Sequence, residues 1–259
     1  MIVLLYVSGA KRTQSRIMKI VYHTKLFFAR RELYVIIISE VSFTRLFPII
    51  LFGSLFVCAS LLHLVACYRR MPKLRGVTKV LLMPLLCTLY LFAVSEPRLL
   101  VLAALAFGWL GDIFLLFKSR RIFMLLGICS FALGHVFYVG AMLSAYPAPH
   151  MLMLIPIALC AVWLAFVYKK LLPYAPKSLR KPGFVYALLL SLTALLALYL
   201  LLVTQKIGYL IAFIGGLFFM LSDTLLTGQQ YRKELRHGNF YVMLTYIIAQ
   251  GLLVLGLAL

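Results

Sequence analysis

The sequence predicts an all-α membrane protein, a polytopic bundle of about eight transmembrane helices preceded by a basic tail. Three observations carry that reading. Of 259 residues, 64% are hydrophobic and only 12% charged, where a soluble globular domain carries about 25% charged residues. The apolar residues fall in long runs, and about 20 such residues cross a bilayer as a helix. The 26 Lys and Arg against 6 Asp and Glu give a net charge of +20, and the basic residues sit in short gaps between the runs. In a soluble chain that excess would point to nucleic acid. In loops it is the pattern of retention beside anionic lipid, so membrane lipids are the expected surroundings and no nucleic-acid partner is expected.

Taken in order, the spans are 47–68, 77–95, 99–117, 122–144, 151–168, 184–204, 207–227 and 239–259. Proline and charge separate them, as in Arg69-Arg70-Met71-Pro72, Glu96-Pro97-Arg98, Pro147-Ala148-Pro149 and the stretch from Pro173 to Pro182. Proline lacks an amide proton and restricts the residue before it, which suits turns. Loops this short make the helices neighbours in one domain, 46–259. Cys58, Cys67, Cys87, Cys129 and Cys160 lie within or beside apolar runs with no metal-type spacing; they read as small buried hydrophobes.

Loop charge gives an orientation. The loops after spans 1, 3, 5 and 7 hold sixteen Lys and Arg, counting Lys79 at the start of span 2, whereas those after spans 2, 4 and 6 hold only Arg98 and Lys206. The positive-inside rule puts the first set in the cytoplasm. Short loops and the lack of processing signals favour a bacterial inner membrane. Residues 1–45 disagree with that orientation, because eight basic residues from Lys11 to Arg45 prefer the cytoplasm as well. Three readings of this tail stay open: an interfacial segment, an imperfect extra span, or an upstream extension with the start at a later methionine such as Met18.

The acidic residues are Glu32, Glu40, Glu96, Asp112, Asp223 and Glu234. Four belong to the tail or to loops. Asp112 and Asp223 lie inside spans 3 and 7, where an aspartate costs about 2.5–3.5 kcal/mol to insert. Such residues face a bundle interior or a wet cavity; the plainer alternative is a polar contact between helices. Asp112 precedes Lys118 by six residues and Asp223 precedes Arg232 by nine, roughly 9 and 13 Å at 1.5 Å per residue. The two carboxyls are therefore expected in one pocket near the basic loops. Gly108, Gly111, Gly215, Gly216 and Ser222 beside them permit close helix approach. Spans 3 and 7 are four apart, which suits two parallel four-helix halves.

His135 and Tyr138 share one face of span 4, and Tyr246 and Gln250 share one face of span 8. Lys79 opens span 2 and suits either an interfacial anchor or a lipid phosphate. His63 reads as structural. No helix carries an HxxxH or ExxH pair, so no metal is expected. There is no Gly-x-Ser-x-Gly elbow and no Walker-type phosphate loop. Chemistry here rests on carboxyl, imidazole, phenol and amide groups, with no cofactor expected.

With these pieces assembled, the chain resembles the lysoplasmalogenase family of membrane proteins, the YhhN-like group. The resemblance rests on Thr78-Lys-Val-Leu-Leu-Met-Pro-Leu-Leu86, Gly111-Asp-Ile-Phe-Leu-Leu116, Phe123-x3-Gly-x3-Phe-x3-His135-x2-Tyr138, Gly215-x6-Ser-Asp-x-Leu-Leu226 and Tyr246-x3-Gln250. These run in family order over residues 46–259. The resemblance implies hydrolysis of the vinyl-ether bond of lysoplasmalogens, giving a fatty aldehyde and glycerophosphoethanolamine or glycerophosphocholine. The residues suit that chemistry. A vinyl ether resists base and is cleaved by acid, through protonation of its outer alkene carbon and addition of water. One protonated acid and one base or anion are needed, as with paired carboxyls on glycosides. The expectation is that Asp112 and Asp223 are that pair, with His135, Tyr138, Tyr246, Gln250 and Ser222 positioning substrate or water and Lys79 holding the phosphate.

Two other classes compete. An intramembrane aspartyl protease would need Gly-x-Gly-Asp and Tyr-Asp, but Trp109 stands three before Asp112 and Ser222 precedes Asp223. A proton-coupled lipid or small-molecule transporter would use buried acids as a relay, though the spans contain few of the interior breaks that moving gates use.

Overall fold

The computed structural model describes residues 46–117, 120–144, 149–232 and 235–259; the tail 1–45 lies outside the described residues. Helix accounts for 89% of the structure, with no strand among the described residues. Eight helical segments are long and apolar enough to cross a membrane: α1 Leu46–Tyr68, α2 Pro72–Ala93, α3 Leu99–Leu116, α4 Arg121–Leu143, the segment Met151–Tyr174 built around α5 Leu154–Phe166, α6 Lys177–Thr204, α7 Ile207–Tyr231 and α8 Gly238–Ala258. The chain from Ile49 to Leu259 forms one compact unit.

Most expected spans agree with these helices to within about a turn. Three do not, and the first is α2, which starts at Pro72 rather than 77 with the proline in its first turn. α6 starts at Lys177 rather than 184 and runs through Pro182, so half of the proline-rich stretch read as a turn is helix. The fifth span is four short pieces: a 3₁₀ turn at Met151–Met153, α5 itself, a π-turn at Val167–Leu171 and a 3₁₀ turn at Leu172–Tyr174. α5 packs mainly on α6 and leaves residues such as Val162, at 70% exposure, on the outside of the bundle. That surface suits lipid.

The packing order follows the small residues. α7 and α8 make the most extensive contact, then α3 and α4. A Cβ on Gly256 would stand 2.5 Å from the backbone of Ala212 and Gly208, and one on Gly216 would stand 2.7 Å from Ala194. These helices touch backbone to backbone, which only glycine allows. The neighbours also correspond between halves: α2–α3–α4 repeats as α6–α7–α8, and α4 packs on α6 as α2 packs on α8. The correspondence covers three helices on each side.

α2 is shaped by one local event. Pro84 lies within it and cannot donate to the carbonyl four residues back. That carbonyl, on Val80, instead accepts from the Trp109 indole of α3 at 2.9 Å. The bond ties α2 to α3 one residue from Lys79.

Candidate active site

Gly108 and Asp112 share a face of α3, one turn apart. The missing side chain at Gly108 lets α8 approach: a Cβ there would lie 3.3 Å from Gln250 Nε2 and 4.0 Å from the Tyr246 hydroxyl. One turn further, that hydroxyl donates to Asp112 Oδ2 at 2.7 Å. The other carboxylate oxygen, Oδ1, meets Lys79 Nζ at 3.1 Å. Asp112 is 1% exposed, so its charge is balanced at close range by the one ion pair among the described residues.

Asp223 is held differently. Its neighbour Ser222 turns toward α8 and donates to the Val242 carbonyl at 3.0 Å. Asp223 itself turns toward α6, where the Tyr186 hydroxyl donates to Oδ2. No cation pairs with it among the described residues. Asp223 and Tyr186 are both partly exposed, whereas Asp112 and Tyr246 are buried.

Both aspartates line one cavity of about 140 Å³, together with Lys79, Tyr186, Ser222 and Tyr246. The space is polar enough and large enough for several waters. Phe131 and Phe219 close its inner wall, stacked edge-on against Tyr246 at 6.0 and 5.5 Å between centroids. At the Asp223 side the cavity adjoins an almost wholly apolar groove of about 120 Å³, which shares Met124, Ile128, Tyr186, Asp223 and Leu226 with it. All of this lies toward the basic-loop end of the bundle, the depth expected from the sequence.

Three expected site residues do not line the cavity. Tyr138 donates to Gln250 Oε1 at 2.8 Å, behind Tyr246. His135 lies deeper still, its Nδ1 3.0 Å from the Thr193 hydroxyl. The Thr193 hydroxyl also lies 3.2 Å from the Leu189 carbonyl, and the second ring nitrogen of His135 is Nε2. That Nε2 is buried without a partner, against the edge of Phe219 with 4.5 Å between centroids. Direct contact with substrate or water in the cavity therefore falls to other groups, because these three sit one or more turns beyond its wall. Lys79, expected at a phosphate, is committed to Asp112.

The structure adds residues that the sequence reading passed over. Tyr186 is one. His63, read as structural, lines the cavity while its Nδ1 bonds Thr78 Oγ1 at 2.8 Å and its Nε2 faces the Cys67 thiol at 3.5 Å. Arg75, one turn before Lys79 on α2, reaches the cavity as well. Tyr186 had a weak signal, a phenol within an apolar span; Arg75 had none that separated it from other loop charges.

Fold and site together define a class: a multi-pass membrane protein with a small water-compatible chamber, walled by two carboxyls and two phenols, opening on an apolar groove. Within that class the chain belongs to the YhhN family, the family of lysoplasmalogenases, which it matches over residues 74–257. No curated protein and no solved structure matches it.

Proposed function

We propose that this protein hydrolyses the vinyl-ether bond of lysoplasmalogens, releasing a fatty aldehyde and glycerophosphoethanolamine or glycerophosphocholine. The observation that carries the reading is that Asp112 and Asp223, scarce acids from two distant spans, face one cavity beside an apolar groove. Membership of the YhhN family supports it.

The unequal surroundings assign roles. Asp112 has an ammonium at 3.1 Å and a phenol at 2.7 Å; both favour its charged form. Asp223 has no cation, and two neighbouring carboxylates in a poorly solvated site do not readily ionise together. Asp223 is therefore the proton donor. It also stands at the groove, where an alkenyl chain would lie, so its proton goes to the outer alkene carbon. The alkene electrons form the new C–H bond, and the ether oxygen shares the positive charge of the resulting oxocarbenium ion. Asp112 stabilises that cation and takes a proton from the water that attacks it. The hemiacetal then collapses: the new hydroxyl loses its proton, the glycerol oxygen gains one, and the C–O bond breaks. Net addition of one water gives aldehyde and alcohol, and Asp223 regains its proton. The phenols of Tyr186 and Tyr246 hold the two carboxyls in place.

The basic loops face the cytoplasm in this reading, and the host membrane is a bacterial inner membrane. The test is aldehyde release from a lysoplasmalogen by detergent-solubilised protein, which needs no sealed compartment and so separates hydrolysis from transport. Asp112→Asn and Asp223→Asn are each expected to lose at least about a thousandfold, within the range of general acid–base effects, while remaining folded. Full activity in both variants would end the proposal.

A further inference from the structure

A second pocket adjoins the chamber on the side away from the apolar groove. It measures about 190 Å³ and shares Arg75 and Asn239 with the chamber. Its other polar walls are Arg70, Arg236, His237 and Gln229. Three arginines thus line it, and no carboxylate does among the described residues. The walls are fastened together: Arg70 donates to the Arg236 carbonyl at 2.9 Å, and Tyr68 stacks on His237 with 4.3 Å between ring centroids. Arg75 is partly buried, and its guanidinium has neither an ion pair nor a hydrogen bond among the described residues. Two further polar atoms in this pocket, Gln229 Oε1 and His237 Nδ1, are buried without partners. Buried polar groups in native proteins are nearly always satisfied. An unpaired, partly buried guanidinium in a pocket lined by arginines is the recognition chemistry of an oxyanion, and guanidinium suits phosphate because it binds two oxygens at once.

The order of the spaces gives the anion's attachment. Basic pocket, acidic chamber and apolar groove follow one another, joined by Arg75 and Asn239 at one side and by Asp223 and Tyr186 at the other. Arg75 and Lys79 are one helical turn apart, about 6 Å of rise, so a group at Arg75 lies a short linker from the carboxyls. A single-chain phospholipid has that sequence of parts: phosphate, glycerol, bond to the chain, chain.

We propose that the Arg75 pocket is a phosphate seat that holds the head-group phosphodiester of a single-chain lipid. The identity of that lipid rests on the hydrolase reading; the phosphate chemistry rests on the pocket alone. Lys79 then balances Asp112, and Arg75 takes the role that position along the sequence had suggested for Lys79.

The test measures binding by the full-length protein in detergent. The probes are a 1-O-alkyl lysophosphoethanolamine, whose saturated ether has no alkene to protonate, the matching 1-O-alkylglycerol without phosphate, and inorganic phosphate. The wild type is expected to prefer the phosphate-bearing lipid over the alkylglycerol by about ten- to a hundredfold, the scale of a charge-assisted hydrogen bond. Arg75→Gln should erase that preference with alkylglycerol binding unchanged, and Arg75→Lys should restore part of it. Should Arg75→Gln fail to fold, Arg75→Lys and Arg236→Gln carry the test through the same ratio. Displacement of the lipid by inorganic phosphate at equal concentration would keep the seat and assign it to free phosphate. A wild type without the preference, or an Arg75→Gln variant that keeps it, overturns the proposal. Arg75-dependent binding with no aldehyde from any vinyl-ether lipid would leave the seat standing and remove the hydrolase reading.

Discussion

Asp112 on α3 and Asp223 on α7 each face the helix before their own, yet their partners differ in kind. Across the α2–α3 contact stands a cation, Lys79; across the equivalent α6–α7 contact stands a phenol, Tyr186. Asp112 is sealed into the bundle, while Asp223 opens on an apolar groove. The bundle supplies two acids to one cavity, and the exchange of ammonium for hydroxyl makes them unlike. A pair with identical surroundings would offer no reason for one member to stay charged and the other to stay neutral.

The largest effect that can break this comparison is expected at Lys79. Removing one partner of a buried ion pair costs about 3–5 kcal/mol, because the other charge is left uncompensated. Lys79→Met should therefore lower thermal stability sharply and reduce aldehyde release. The double variant Lys79→Met/Asp112→Asn should be more stable than Lys79→Met alone, although inactive; thermal unfolding of the four proteins in the cycle measures the coupling. Simple additivity would mean that the 3.1 Å contact does not balance charge.

Next in size is Tyr246→Phe. A hydrogen bond to a charged group is worth about 1.5–3 kcal/mol, so activity should fall by about ten- to a hundredfold. Tyr186→Phe removes a bond to a neutral acid, worth about 0.5–1.5 kcal/mol, and should cost about two- to tenfold. The rank order decides the assignment: if Tyr186→Phe proves the more damaging in a steady-state assay of aldehyde release, the charged aspartate is Asp223 and the roles reverse.

What the sequence made legible was whatever violates the solvent. A carboxylate in oil is conspicuous, so Asp112 and Asp223 stood out, and their distances from the basic loops placed them at a common depth. The i, i+4 spacing put Tyr246 and Gln250 on one face, but spacing cannot say which turn of that face meets the cavity. Tyr246 meets it; Gln250, one turn on, binds Tyr138 behind the wall. Tyr186 was missed because the chain has 15 tyrosines, and a phenol in an apolar run reads as core. The partner of Lys79 was hidden because it depends on how α2 docks on α3, which Pro84 and Trp109 arrange through one displaced hydrogen bond. α6 begins earlier than the sequence predicts because Pro182 lies within the helix and does not end it.

The chamber and both adjoining pockets sit toward the same end of the bundle, beside the loops that carry the arginines. A lipid bound as proposed would reach them only from the monolayer that shares that surface. In closed vesicles with the protein inserted one way, about half of a symmetrically distributed substrate would stay uncleaved until it crossed the bilayer, and the slow phase of turnover would report lipid flip-flop rather than chemistry.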